Sequence, residues 1–183
     1  MPTAVSLHGH LRITAIHSGF LRTPSTLDDA ELRRARVDGA AYTVFSGNNH
    51  IVDVGVSLVS RLLGFGRGLP SLGPVGITSV NDLKIDIMRI ATAVAPAAPA
   101  NGDSALAGAV AYTMTPLSVT YPTDTKVMFR GLLPVDALVG SDITEEGLFL
   151  ASGVLVARVT FPPITKLATH ALQFDHEIEV QRV

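Results

Sequence analysis

The chain has 183 residues, 47% of them hydrophobic and only 16% charged, with a net charge of −2 and a mean hydropathy of +0.37. That balance excludes a global attraction to nucleic acid or anionic lipid, and the absence of cysteine excludes disulfides and thiolate chemistry. An average soluble domain is roughly one quarter charged, so this composition predicts apolar surface hidden against neighbouring subunits, as in an obligate oligomer.

Residues 1–24 hold a half-buried strand in which Leu11, Ile13 and Ala15 alternate with Arg12, Thr14 and Ile16. The next stretch, PSTLDDAELRRARVDG, predicts a short charged helix capped by Ser25 or Thr26. Asp28, Asp29 and Glu31 sit near its positive end, Arg33, Arg34 and Arg36 near its negative end, and Gly39 terminates it. Residues 1–45 are therefore expected to be an N-terminal arm carrying a short helix, and residues 46–183 an assembly domain. A second helix is expected after Asn48 or Asn49, with Ile51, Val54, Leu58, Leu62 and Phe65 near one face. Gly64, Gly66 and Gly68 close that helix rather than open one, which argues against a dinucleotide-binding loop.

The remainder reads as β-structure. Leu83–Ile90 alternates, with Leu83, Ile85 and Ile87 opposite Lys84, Asp86 and Met88, and residues 93–104 are too rich in Pro, Ala and Gly for anything but a loop. Strands are expected over Ala111–Tyr121, Thr125–Leu133, Gly147–Leu150, Val154–Phe161 and Ala171–Val180, with turns at 121–125 and 151–153. The fold class that follows is mainly β, an antiparallel β-sandwich with one or two short helices and an N-terminal arm. No run reaches the roughly 18 consecutive apolar residues of a membrane span. Met1–Arg12 carries His8, His10 and Arg12 within its apolar pattern, so no signal peptide is expected.

Three groups of residues invite a chemical reading. Gly102-Asp103-Ser104 matches the nucleophile triplet of one class of serine esterases, but its partners would be Asp175 and His176, which point to opposite faces of a strand. His8 and His10 share a strand face, while His17, His50, His170 and His176 are scattered without a metal-ligand spacing. His176 falls on an apolar face, which implies either a hydrogen-bonded core residue or a subunit contact. Glu145-Glu146 are adjacent, whereas glycoside hydrolysis needs carboxyls facing each other across a substrate. Their expected role is local, one glutamate satisfying backbone donors or pairing with Arg158 or Lys166. No catalytic residue, cofactor or metal is expected.

Taken in order, several weak motifs form a pattern. They are the helix opening Asn49-Ile51-Val52…Gly55, the strand Ile85–Ile90, and the loop ending Asp103-Ser104-Ala105-Leu106. Val127–Arg130 follows, then I-x-E-x-G-L-F at Ile143–Phe149, L-x-A-R at Leu155–Arg158 running to Phe161, and Lys166. This succession, from about Asn48 to Val180, resembles the N-terminal attachment domains of tail-collar fibre proteins among tailed-bacteriophage virion proteins. Ala91-Thr92-Ala93 departs from the glycine-rich tract often found there, residues 1–45 have no counterpart, and no fibre is expected after the last strand.

The resemblance implies a non-enzymatic virion structural protein, assembled in the host bacterial cytoplasm, that forms symmetric oligomers with other virion proteins as partners. A trimer is the expected stoichiometry by analogy. The role implied is an adaptor or attachment component of the tail, baseplate or neck. The alternatives are a capsid decoration protein of the head and a receptor- or glycan-binding module. Structural or assembly roles fall to Glu145, Gly147, Leu148, Phe149, Arg158, Phe161 and Lys166.

Overall fold

In the computed structural model, the described residues are 5–21, 25–53, 55 and 80–182. They form nine strands and one α-helix: β1 (Val5–His17), α1 (Asp29–Val37), β2 (Ala41–Ile51), β3 (Ile85–Thr92), β4 (Ala109–Met114), β5 (Ser118–Thr123), β6 (Lys126–Leu133), β7 (Asp142–Leu150), β8 (Leu155–Thr165) and β9 (His170–Arg182). All pairings are antiparallel, in the order β4-β3-β7-β8-β2-β1-β9-β6-β5. The mainly β, antiparallel class expected from the alternating sequence is the one observed.

The nine strands are one sheet folded across itself. Strand β2 pairs with β1 along most of its length and then, through His50 and Ile51, with β8. The half β5-β6-β9-β1 thereby faces the half β4-β3-β7-β8. Leu11, Ile13, Phe129, Leu172 and Phe174 from the first half share one buried core with Met88, Ile90, Ile143, Leu148, Val159 and Phe161 from the second. The twofold period of a strand accounts for this arrangement, because alternate residues of β1 and β9 must all turn to the same side.

Both outer faces are covered by the chain itself. Helix α1 lies over β1, burying Leu32 and Ala35 with Leu27, Ile16 and Ala41. Its N-cap is Asp28 rather than Ser25 or Thr26. The Asp28 carboxylate accepts from the Glu31 N–H while Glu31 accepts from the Asp28 N–H, a reciprocal box that satisfies two otherwise unpaired donors. Gly39, at φ +69°, supplies the left-handed residue that stops the helix. On the other side, residues 93–108 run over β7 and β8. Consequently β7 is buried at every position from Ile143 to Leu150.

Several expectations need correction. Residues 1–45 are not an arm: β1 is an interior strand, paired with β2 on one side and over thirteen positions with β9 on the other. The expected boundary at 45/46 falls inside β2. Asn48, Asn49 and Ile51 belong to that strand rather than to a helix opening. Asp53 and Gly55 are helical, and the other expected helix residues, Val54, Leu58, Leu62 and Phe65, lie outside the described residues.

Met88, expected on a polar face, is fully buried in the core, because an extra residue of β3 between Ile85 and Ile87 reverses the alternation against β7. The single strand expected over Ala111–Tyr121 is two. The chain breaks at Thr115–Leu117, where Pro116 has no N–H to donate and buried Leu117 turns inward, and it passes from one half of the sheet to the other. No helix among the described residues is long and apolar enough to cross a membrane.

Candidate functional site

Four buried polar centres pin this fold, and Asp103, Glu145, Glu146, Arg158, Lys166 and Asp175 each belong to one of them. The first is on the outer face of β7 and β8. Glu145 is fully buried, pairs with Arg158 Nε, and accepts from the N–H groups of Ala107 at 2.9 Å and Gly108 at 3.0 Å. Arg158 also donates to the Asp103 carboxylate at 2.6 Å and to the Ala97 carbonyl at 2.9 Å. The two side chains together hold the loop 93–108 against the sheet.

The electrostatics match that geometry. Burial works against the Arg158 charge, but its pairs with Asp103 and Glu145 outweigh the penalty and raise its pKa above the ordinary arginine value. The Ala100 N–H, aided by Arg158, holds the Asp103 carboxyl below the usual aspartate value against the opposing effect of burial. Gly147 sits beneath the same loop: a Cβ there would meet terminal methyls of Leu106 at 2.8 Å and Leu155 at 3.0 Å, so glycine lets the loop approach the strand without displacing either side chain. Phe149 lies on this outer face with Leu155 and Val52, its ring 4.5 Å from the Arg89 guanidinium.

The second centre lies inside the fold. Glu146 turns the opposite way from Glu145, as alternation on a strand demands, and its Oε2 is 2.8 Å from His176 Nδ1. The other ring nitrogen of His176 contacts the Asn49 carboxamide. Asn49 reaches inward over Gly9, its register partner on β1, and a Cβ on Gly9 would collide with that carboxamide. This chain of three residues ties β2 and β9 to β7 across the core. Glu146 Oε1 and Asn49 Oδ1 are buried without a hydrogen-bond partner among the described residues. Leu148 and Phe161 pack in the same core.

The third centre secures α1. Asp175 is buried between Arg12, at 2.6 Å, and Arg130, at 3.0 Å, and accepts from Gln173 at 2.9 Å. Arg130 continues to Asp29 on the helix, and Gln173 both donates to and accepts from the Leu27 backbone. The fourth is Lys166, buried at the turn between β8 and β9. Its ammonium donates to the carbonyls of Val135 at 2.8 Å, Leu167 at 3.0 Å and His170 at 2.5 Å, one acceptor for each N–H. Burial pushes the Lys166 amine below the usual lysine value, with Asp136 acting the other way.

The arrangement brings together no catalytic constellation from the sequence candidates. Glu145 and Glu146 face opposite sides of β7. Asp175 and His176 face opposite sides of β9, one committed to two arginines and the other to Glu146. Ser104 is exposed on the loop. His8 and His10 lie opposite Glu179 and Glu177 on the outer face, and His10 bonds Ser46 at 3.1 Å. Among the described residues no group of three or more His, Cys, Asp or Glu is placed to hold a metal ion.

Of the seven residues assigned structural roles from sequence, all are buried and none is surface-exposed. Their contacts are internal to the chain. Lys166 pairs with carbonyls rather than with a glutamate. Asn49, Asp103, Arg130, Gln173 and Asp175 were not singled out for these pairings; Asp175 and Gln173 stand on the polar side of an alternating strand, the pattern of solvent-facing residues.

Compared with family models, with curated proteins and with solved structures, the chain finds no match in any of the three.

Proposed function

We propose that the chain is a non-enzymatic structural protein of a tailed-bacteriophage virion, forming a symmetric homo-oligomer that acts as an adaptor or attachment component of the tail, baseplate or neck. The observation that carries the assembly reading is one end of the folded sheet that the other described residues leave uncovered. Between its two halves lies a cleft of about 500 Å³, lined by Leu7, Ile51, Ile85, Val127, Tyr121 and Val180 among others, and continuous with the core through Phe129 and Ile178. Tyr121 is 76% exposed and Val180 39%. Surface of this kind is stabilised by removal from water at about 25 cal/mol per Å².

The occupant proposed is a second copy of the chain. Among the described residues of the cleft the one charged side chain, Lys84, is already paired with Asp86 at 3.1 Å, so an uncharged surface suits it. Residues 104–123 of the chain contain no charged side chain and expose Val110 and Tyr121. Strand addition at the sheet edges is the weaker route, because β4 carries a bulge at Ala111 and β5 carries both an irregular register and Pro122. The low charge of the sequence supports the reading less than it first did, since the second apolar face of β7 and β8 is covered by the chain's own loop.

The choice of a virion rests on the ordered motifs between Ile143 and Lys166. It is tested by labelling the protein in purified particles and imaging them. Label at the tail, baseplate or neck is expected. Label on the head would replace the adaptor with a decoration role, and absence from particles would overturn the reading.

A further inference from the structure

The end of the fold opposite the apolar cleft gathers three basic groups. His17 closes β1 and His170 opens β9, and the two are direct cross-strand partners. Their rings meet edge to face with centroids 5.3 Å apart, and Tyr42 of β2 meets His170 at 5.6 Å. Lys166 lies beside them, its ammonium bonded to the His170 carbonyl. Among the described residues, the charged and titratable groups around His170 are thus His17 from β1, Tyr42 from β2 and Lys166 from the β8–β9 turn. The carboxylate Asp136, on the β6–β7 loop, acts on Lys166.

Each neutral imidazole has a structural task here. His17 Nδ1 accepts the Gly19 N–H at 3.2 Å, which fixes the turn at 18–20, and His170 Nδ1 lies 2.9 Å from the Thr169 hydroxyl. The same corner is stitched by Ser18 N–H to the Thr169 carbonyl at 2.9 Å, Gly140 N–H to the Lys166 carbonyl at 2.9 Å and Lys166 N–H to the Ser141 carbonyl at 3.0 Å. A proton on His170 would add a cation next to the Lys166 ammonium, with His17 rather than a carboxylate on its other side.

We infer that this end of the fold is an acid-operated latch: a proton gained at His170, between the His17 ring and the buried Lys166 ammonium, releases the turn at 18–20 and the loops at 134–141 and 166–170 while the rest of the sheet stays closed. The segment released at 18–20 leads into α1, so the latch governs how firmly the helical cover is anchored at its start. The inference stands independently of the assembly reading.

The direction with pH follows from the balance around His170. Burial first, then His17 and Lys166, hold its imidazole below the ordinary histidine value of 6.5. The unfolded or released state therefore binds the proton more readily. Stability of the corner is undiminished above the ordinary value and falls as pH drops from there through the lowered value, by about tenfold in the opening equilibrium per unit of lowering.

The test is hydrogen exchange on the full chain at about pH 7.5 and about pH 5.0, corrected for intrinsic exchange, in the wild type, His17→Gln and the double variant His17→Gln/His170→Gln. Protection at 17–21, 134–141 and 166–170 is expected to fall in acid in the wild type while β7 and β8 keep theirs. The fall should be smaller in His17→Gln, an exposed position where misfolding is not expected, and absent in the double variant. Unchanged protection in the wild type, an equal fall in His17→Gln, or a fall spread evenly over the chain would overturn the latch.

Discussion

The outer face of β1 lies under a helix, and the outer face of β7 lies under a loop without regular structure. A helix satisfies most of its own backbone donors and acceptors, so α1 needs few anchors. Gln173 holds the Leu27 backbone, and Arg130 links Asp29 to Asp175. The loop 93–108 has no such internal ladder, and its buried backbone groups must find partners elsewhere. Glu145 takes two N–H groups, Arg158 supplies one carbonyl with a donor, Thr144 accepts from Ala93 at 2.9 Å, and the Asp53 N–H reaches the Asn101 carbonyl at 2.9 Å. A buried carboxylate–arginine pair appears under both covers, but it aligns a helix that forms largely by itself in one case and replaces missing secondary structure in the other.

The largest expected effect breaks the comparison at its base. Deleting residues 1–38 removes α1 together with β1, the strand between β2 and β9. No cooperative thermal transition is expected from the truncated chain, whereas a folded product would mean that the sheet closes without its interior strand. The next is Glu145→Ala, which strands the Ala107 and Gly108 N–H groups and removes one of the two carboxylates of buried Arg158. A loss of about 3–5 kcal/mol is expected, or roughly 10 °C in thermal midpoint, with exchange protection lost first over 97–108. An even loss over the chain would contradict the loop's dependence on this residue.

Smaller again is Asp175→Asn. Arg130 keeps Asp29, and the Arg12 side chain is 30% exposed, so water screens what the substitution uncovers. About 2 kcal/mol is expected, with α1 remaining helical by circular dichroism. If Asp175→Asn costs more than Glu145→Ala, the proposed asymmetry between the two covers is wrong.

How much of this could be read from the residues differs by element. The strands β1, β6 and β9 were legible because their alternation is uninterrupted and their apolar sets, such as Leu172, Phe174 and Ile178, all face one core. The start of β7 was not, because Asp142, Glu145 and Glu146 look like solvent residues until Arg158 and His176 are known to sit opposite them. Met88 was assigned to the wrong face because a single extra residue in β3 shifts everything beyond it.

The interior position of β1 could not be read at all. An alternating strand near a terminus looks the same whether it pairs on one side or two, and only the register with β9 decides. At the site, the local role of Glu145 was legible from its place beside Arg158 on a hairpin. The partnership of Asn49 with His176 was not, since 127 residues separate them and the contact depends on Gly9 leaving room.

The most direct measurement is the mass of the full chain in solution by light scattering across a range of concentrations, with Tyr121→Lys beside it. The account predicts a stable multiple of 19.2 kDa for the wild type and dissociation when the lysine charge enters the apolar cleft. A wild-type particle that stays at 19.2 kDa at every concentration would contradict the claim that this protein works by holding copies of itself together.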